Sequence, residues 1–229
     1  TETFSELVLQ EVFEPNKLKG FQTGYKGLDA LTKGFAEQEL RVVSGLTSTG
    51  KTTWIMHEML IYAKQNVPVA IFSLESPVRK IIKDMIQGLS NKPVGELPKE
   101  SVVDLLKQLQ ELPIHWFDSR SFDQTLYMSK FKTLVKQVRD RYGVKFVVLD
   151  DLQFLVNSGN RESSTADKIT EIMTGFKELA NSLNIHLIVI AHVNRNNEGH
   201  MPKLSELKGS SGIEQLADYV MFLHRETSP

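Results

Sequence analysis

Eight consecutive residues, Gly45-Leu46-Thr47-Ser48-Thr49-Gly50-Lys51-Thr52, have the types and spacing needed to hold a polyphosphate. They fit the pattern G-x-x-x-x-G-K-[ST]. Gly45 and Gly50 let the backbone wrap closely around an anion, so that its N–H groups and the N-terminus of a following helix face negative charge. Lys51 is expected to reach the β- and γ-phosphates, and the Thr52 hydroxyl to sit on Mg²⁺. Thr47, Ser48, Thr49 and Thr53 complete the expected phosphate contacts. The flanks agree. Leu40-Arg41-Val42-Val43 reads as a strand, and Trp54, Ile55, Met59, Leu60 and Ala63 recur at helical spacing.

The remaining chemistry collects at the ends of apolar runs. Val69–Leu74 is followed by Glu75, Phe146–Leu149 by Asp150 and Asp151, and Ile185–Ala191 by His192. In an open parallel sheet, ligands bind beyond the carboxyl ends of the strands, so these groups are expected on one edge of one sheet with the phosphate loop. Asp150 has the form of an acid that holds Mg²⁺ beside Thr52. Asp151 is expected to support it from behind or to face solvent. Glu75 is the best general base for an attacking water; a helix N-terminal carboxylate is the plainer alternative. His192 suits a hydrogen bond to a γ-phosphate, or a purely structural role. The six histidines show no zinc spacing, and no Ser-His-Asp arrangement is evident.

The elements that must position these groups alternate. A turn at Thr23-Gly24-Tyr25 leads into a short helix around Leu28-Asp29-Ala30-Leu31. Ser76 and Pro77 are read as the cap and first residue of a helix running to about Leu89. Asn91–Glu100 reads as loop, Ser101–Glu111 as helix, Ile114–Phe117 as a short strand and Phe122–Tyr142 as helix. Asn157–Thr165 reads as loop, and Ala166–Leu183 as helix. Ile185–Ala191, the most apolar run, reads as a central strand. Asn194–Leu207 reads as loop and Tyr219–Leu223 as the last strand. Alternating strands and helices, with strands apolar throughout, imply an α/β fold: a mostly parallel central sheet covered by helices on both faces.

The 229 residues fit one large domain with a sizeable core. A net charge of −1 exerts no global pull on nucleic acid, so such a partner needs a local patch. One candidate is the loop from Asn194 to Ser211, where Arg195, Lys203 and Lys208 stand near Gly209 and Ser210. Small residues there expose backbone N–H groups and cations neutralise phosphates; Glu198 and Glu206 in the same loop keep a merely solvated reading open. Cysteine is absent, which excludes disulfides and cysteine metal sites. No apolar run approaches membrane-spanning length and no signal-peptide pattern opens the chain. The expectation is a cytoplasmic or organelle-matrix protein with no membrane partner.

Taken together, these motifs resemble the RecA-like motor domain of hexameric replicative helicases: the DnaB type and its phage primase-helicase and mitochondrial Twinkle relatives. The likeness runs from about Phe21 to Arg225. Phe21-Gln22-Thr23-Gly24-Tyr25 with Leu28-Asp29 is similar to the start of the family's domain, and Ser73-Leu74-Glu75-Ser76 to the segment bearing its catalytic glutamate. Leu149-Asp150-Asp151-Leu152-Gln153 is similar to its Walker B strand. Ala191-His192-Val193-Asn194-Arg195 is similar to its sensor motif, with the His of the phage type. Leu207-Lys208-Gly209-Ser210-Ser211-Gly212-Ile213-Glu214-Gln215 with Asp218 is similar to the motif whose loop touches single-stranded DNA. Gln38 stands where Gly is usual, Lys208 where Arg is usual, and Ser211-Gly212 exchanges the usual small-residue order.

The resemblance implies a RecA-like P-loop fold that uses ATP (or dTTP) with Mg²⁺, and catalytic roles for Lys51, Glu75 and His192. It implies metal contacts from Thr52 and Asp150, and DNA contacts from Arg195, Lys208, Gly209, Ser210 and Gln215. The implied partners are single-stranded DNA and further copies in a hexameric ring, in a mitochondrion or a phage-infected host cell. A RecA-like recombinase and a KaiC-like nucleotide-gated protein-binding module are the alternatives. Residues 1–20 are expected to form a helix, with Phe4, Leu7, Val8 and Val12 on one face, and a polar link; residues 21–229 form the motor domain. That helix either folds back on its own domain or docks on a neighbour. The family's arginine finger is expected beyond Pro229, so this stretch alone is expected to hydrolyse slowly.

Overall fold

The strand segments are apolar on both sides, which suits only a sheet covered on both faces. The computed structural model describes residues 20–118, 128–158, 163–193, 201–207 and 209–225. The chain divides into two compact units, residues 1–36 and 37–229. In the first, Phe21 and Phe35 form an antiparallel bridge around helix α1 (Lys26–Thr32). The Asp29 carboxylate accepts from the Thr23 N–H (2.8 Å), the Thr23 hydroxyl (2.7 Å) and the Gly24 N–H (3.0 Å), tying the predicted turn to the predicted helix. The helix expected ahead of Pro15 lies outside the described residues.

The second unit begins with β1 (Leu40–Ser44), α2 (Lys51–Lys64), β2 (Val69–Ser73), α3 (Val78–Ser90), α4 (Lys99–Glu111) and β3 (Ile114–Asp118). It continues with α5 (Met128–Tyr142), β4 (Phe146–Asp150), α6 (Leu152–Ser158), α7 (Thr165–Leu183), β5 (His186–Ile190), α8 (Ser210–Leu216) and β6 (Tyr219–Phe222). The six strands form one sheet in the order β3-β2-β4-β5-β1-β6. Every pairing is parallel.

Side chains alternate across a strand, and each face has its own cover. Leu40, Val42, Phe72, Val147, Leu149, Leu187 and Val189 join one core with Phe131 and Val135 of α5, Leu155 of α6 and Phe176 of α7. On the other face α2 packs: Tyr62 stacks on Phe146, ring centroids 4.1 Å apart, and Glu58 pairs with Arg41. Fully burying a large aliphatic or aromatic side chain is worth about 1.5–3 kcal/mol as an upper bound. The two layers therefore outweigh the desolvation cost of that one buried ion pair.

The strands predicted from apolar runs are all present, with Ile185–Ala191 in the interior of the sheet as β5. Several boundaries differ. Pro77 is extended (ψ 137°) and occupies the N-cap position without a side-chain bond, while the Ser76 carbonyl accepts from the Ser73 hydroxyl at 2.7 Å. The cap position of α3 thus belongs to Pro77 and not to Ser76, and no side chain caps the helix. The helix read from Ser101 starts at Lys99, directly after Pro98. Of the helix read over Phe122–Tyr142, the part from Met128 is described as α5. Helices α6 and α8 occupy stretches with no predicted helix. The start of α7 is capped by Ser164, whose side chain accepts from the Asp167 N–H at 3.2 Å.

Candidate active site

Backbone bonds beyond the strand ends place the chemistry. The Asp150 carbonyl accepts from the N–H groups of Leu74 (2.7 Å) and Glu75 (3.3 Å), so the residue after β2 is held beside the end of β4. The Ala191 N–H donates to the Val43 carbonyl (3.0 Å), and the Ser44 hydroxyl to the Ala191 carbonyl (2.9 Å). These hold His192 beside the end of β1, where the phosphate loop begins. Gly45 starts that loop against the Leu223 carbonyl, which a Cβ would approach to 2.4 Å. Gly50 caps α2 at φ +94°, a left-handed conformation that glycine adopts without strain.

Within the loop the Thr49 hydroxyl donates to the Leu46 carbonyl at 2.9 Å. Lys51 Nζ folds over the loop and donates to the carbonyls of Gly45 (2.9 Å) and Leu46 (2.8 Å). Burial holds the Lys51 ammonium below its ordinary pKa, against the opposing pull of Asp150, Glu75 and Asp151. Thr47, Ser48 and Thr53 are exposed around it. The Thr52 hydroxyl donates to Asp150 Oδ2 at 2.8 Å, joining the loop to the acid after β4. Asp150 is fully buried, and its other oxygen, Oδ1, has no hydrogen-bond partner. Burial pushes the Asp150 carboxyl up to about 6, with Thr52 pulling the other way and the charges of Glu75 and Asp151 adding to the rise.

Asp150 is joined to Asp151 by a cis peptide bond. Of the two expectations for Asp151, the solvent-facing one is corrected: the residue is 7% exposed, and its Oδ2 lies 3.1 Å from His192 Nε2. Glu75 Oε2 is 3.6 Å from the same nitrogen. The Asp151 hydrogen bond raises the His192 pKa above its ordinary value, partly offset by burial. One ligand atom from each of Glu75, Asp151 and His192 lies within 4.8 Å of the others. The three border a cleft of about 690 Å³ that continues along Gln153, Phe154 and Asn157 of α6.

The wall formed by α6 was not foreseen, although Leu152, Leu155 and Val156, all buried, carry the spacing of one helical face. Of the candidate DNA contacts, Arg195 and Lys208 lie outside the described residues, as does the Ser210 side chain. Gly209 caps α8 and lies against Ile169 of α7, and Gln215 is exposed on α8. Among the described residues, no helix is long and apolar enough to cross a membrane.

The profile of the family described as "DnaB-like helicase C terminal domain" matches residues 20–228. A "Probable replicative DNA helicase" of Trieres chinensis is 29% identical over 238 residues, covering 97% of this chain and 51% of that protein. "Replicative DNA helicase DnaB" of Geobacillus stearothermophilus is 28% identical over 222 residues, covering 92% of this chain and 48% of its own. The chain thus spans about half the length of these relatives. Among solved structures, the one described as "The Structure Of A DnaB-Like Replicative Helicase And Its Interactions With Primase" has the same fold, with a TM-score of 0.82 and 21% identity. It matches over 98% of this chain and 57% of that one.

Proposed function

The chain belongs to the family of DnaB-like helicase C-terminal domains, and on that premise we propose that it is the ATP-driven motor of a replicative DNA helicase. The observation that carries the reading is the 2.8 Å bond from the Thr52 hydroxyl to Asp150, which unites the phosphate loop with a buried acid. The residues present fit Mg²⁺ and a nucleoside triphosphate, ATP or dTTP. Asp150 Oδ1 is buried without a hydrogen-bond partner beside a threonine hydroxyl, an all-oxygen pair suited to a hard cation. Among the described residues Lys51 donates to loop carbonyls, neutral partners that a phosphate oxygen outcompetes.

Mg²⁺ with the triphosphate supplies, when bound, the anhydride whose cleavage drives movement. Lys51 and the loop N–H groups bind the phosphates, and Thr52 and Asp150 hold the cation. Glu75, at the mouth of the cleft, orients a water and takes its proton. His192 stands at the end of β5, where its imidazole reports the state of the γ-phosphate to the loop that follows. Arg195, Lys208, Gly209, Ser210 and Gln215 hold the backbone of single-stranded DNA, and the motor works in a hexameric ring of identical chains. The family match favours this reading over a recombinase or a KaiC-like module.

The test is ATP turnover, with and without single-stranded DNA, beside strand displacement on a forked duplex. Glu75→Gln is expected to keep nucleotide binding and to lower turnover by roughly 10²–10⁴-fold, the usual worth of a general base. Turnover by Glu75→Gln near the parental rate removes Glu75 as the base. In a ring-competent protein extended beyond Pro229, DNA-stimulated hydrolysis without strand displacement points to the recombinase.

A further inference from the structure

His192 Nε2 faces two carboxylates and has one proton to give. Asp151 Oδ2 is 3.1 Å away, within hydrogen-bond range, and Glu75 Oε2 is 3.6 Å away, just beyond it. An ionised carboxylate only accepts, so Nε2 carries the proton whether the ring is neutral or charged. The other ring nitrogen, Nδ1, is buried and has no hydrogen-bond partner among the described residues, so the contacts that orient the imidazole there are those of Nε2. The two acceptors differ in anchoring. Asp151 is 7% exposed and set between fully buried Asp150 and nearly buried Leu152. The Glu75 side chain is 56% exposed.

We infer that Asp151 is a positioning residue that takes the imidazole N–H of His192 and thereby keeps it off Glu75. The inference rests on the reading of Glu75 as the base. A base works through a free lone pair, and an N–H donated to Glu75 would stabilise its carboxylate and lower its proton affinity. Hydrogen bonds to ionised acceptors are roughly twice as strong as those between neutral groups. Between two carboxylates, distance and anchoring decide the contest, and Asp151 wins it. An amide in place of Asp151 has the same shape but is a neutral acceptor. Glu75 then becomes the stronger partner, and a shift of about half an ångström closes the 3.6 Å gap to a hydrogen bond. The two neighbouring carboxylates thus have opposite duties. Asp151 holds a donor so that Glu75 remains free.

The isosteric substitution Asp151→Asn separates this from a packing role, which it would leave intact. The first measurement needs no turnover: long-range ¹H–¹⁵N spectra of the His192 ring in the nucleotide-free protein, at one pH. In the parent, Nε2 is protonated and Glu75→Gln moves its resonance little. In the Asp151→Asn background, Glu75→Gln moves it strongly, because the imidazole has changed partner. The second measurement is steady-state ATP hydrolysis. Asp151→Asn is expected to lower kcat by at least about tenfold, a fraction of what a general base supplies, with KM for ATP and the melting curve unchanged. Asp151→Asn with His192→Ala is expected to be no slower than His192→Ala alone, since without the imidazole there is nothing to hold. A parental kcat in Asp151→Asn overturns the inference, as does an equal ring response to Glu75→Gln in both backgrounds. If Glu75→Gln hydrolyses normally while the ring spectra behave as expected, the base assignment fails and the Asp151–His192 pairing stands.

Discussion

The two ends of β1 carry charge in opposite ways. Near its start, Arg41 Nη2 lies 2.6 Å from Glu58 Oε1, both side chains are fully buried, and the Tyr62 hydroxyl donates to the same oxygen at 2.7 Å. Past its end, Lys51 is also buried, yet its ammonium rests on the carbonyls of Gly45 and Leu46. Asp150 shares with Glu58 a carboxylate oxygen that has no hydrogen-bond partner, but where Glu58 has Arg41, Asp150 has a single hydroxyl. Glu75 and Asp151 crowd toward one imidazole. A structural charge finds its counter-charge inside the fold. At this end the ammonium hydrogen-bonds to neutral carbonyls while its carboxylates pull on it without a direct bond, an arrangement that suits completion by a ligand.

The largest effect tests the structural end. Arg41→Met leaves Glu58 buried without its cation, and breaking a buried pair in this way costs about 3–5 kcal/mol. Chemical denaturation should show that loss, while nucleotide affinity per folded molecule stays at the parental value. Adding Glu58→Leu should recover most of the stability, since replacing both charges by packed apolar groups is often neutral or better. A loss below about 1 kcal/mol for Arg41→Met, against the magnitude expected for a buried pair, would show that the two ends of the strand do not differ as described.

The same contrast explains what could be read from the chain. The phosphate loop, the apolar strands and the polar residue after each strand are local patterns, and the parallel sheet follows from their alternation. The convergence of Glu75, Asp150 and His192 followed because all stand after strands of one sheet. The pairing of Asp151 with His192 was not legible. It depends on β4 and β5 being neighbours, with Phe146 opposite His186, and strand order is not written in any local window. Arg41 gave no sign either. It sits in an apolar run, and its partner lies 17 residues away on α2. Helix α6 was legible in its spacing but spans only 7 residues, too few for periodicity to stand out beside a polar loop. Pro77 was misread because proline before a helix serves equally as its first residue and as the extended residue ahead of it.

At the functional end, pH offers a sharper probe. Burial raises the Asp150 carboxyl from 3.8 to about 6. A raised carboxyl favours folding while protonated: its contribution is full below 3.8 and is lost as pH rises through about 6. On the proposed reading, a divalent cation takes the place of that proton. Affinity for Mg²⁺-ADP should therefore rise as pH climbs toward about 6, by at most about tenfold per pH unit for one released proton, and flatten above it. Titrations of the parent and Asp150→Asn across that range isolate the contribution, because the variant lacks the titrating group. Identical pH profiles would show that Asp150 does not exchange a proton for the cation.

The smallest effect has the most telling sign. Lys51→Met removes a buried charge, as Arg41→Met does, and substitutes the same side chain at the other end of the same strand's reach. At Lys51 the burial that holds the ammonium below its ordinary pKa is a cost of keeping it charged. Three carboxylates in the vicinity, Asp150, Glu75 and Asp151, reduce that cost without cancelling it. Against this stand the two bonds to the Gly45 and Leu46 carbonyls, each worth about 1 kcal/mol net. Methionine has an unbranched, adaptable side chain that fills the same channel. The expected outcome is a nucleotide-free protein whose stability is equal to the parent's or greater by up to about 1 kcal/mol, the familiar exchange of stability for function at a binding site. Nucleotide affinity, in contrast, should fall by at least about tenfold, the loss expected when a charge-assisted bond of 1.5–3 kcal/mol is removed. Denaturation curves beside a nucleotide titration read both. A destabilisation as large as that of Arg41→Met would mean that Lys51 is held by the fold as firmly as Arg41, and the loop would then be a structural turn that happens to carry a lysine.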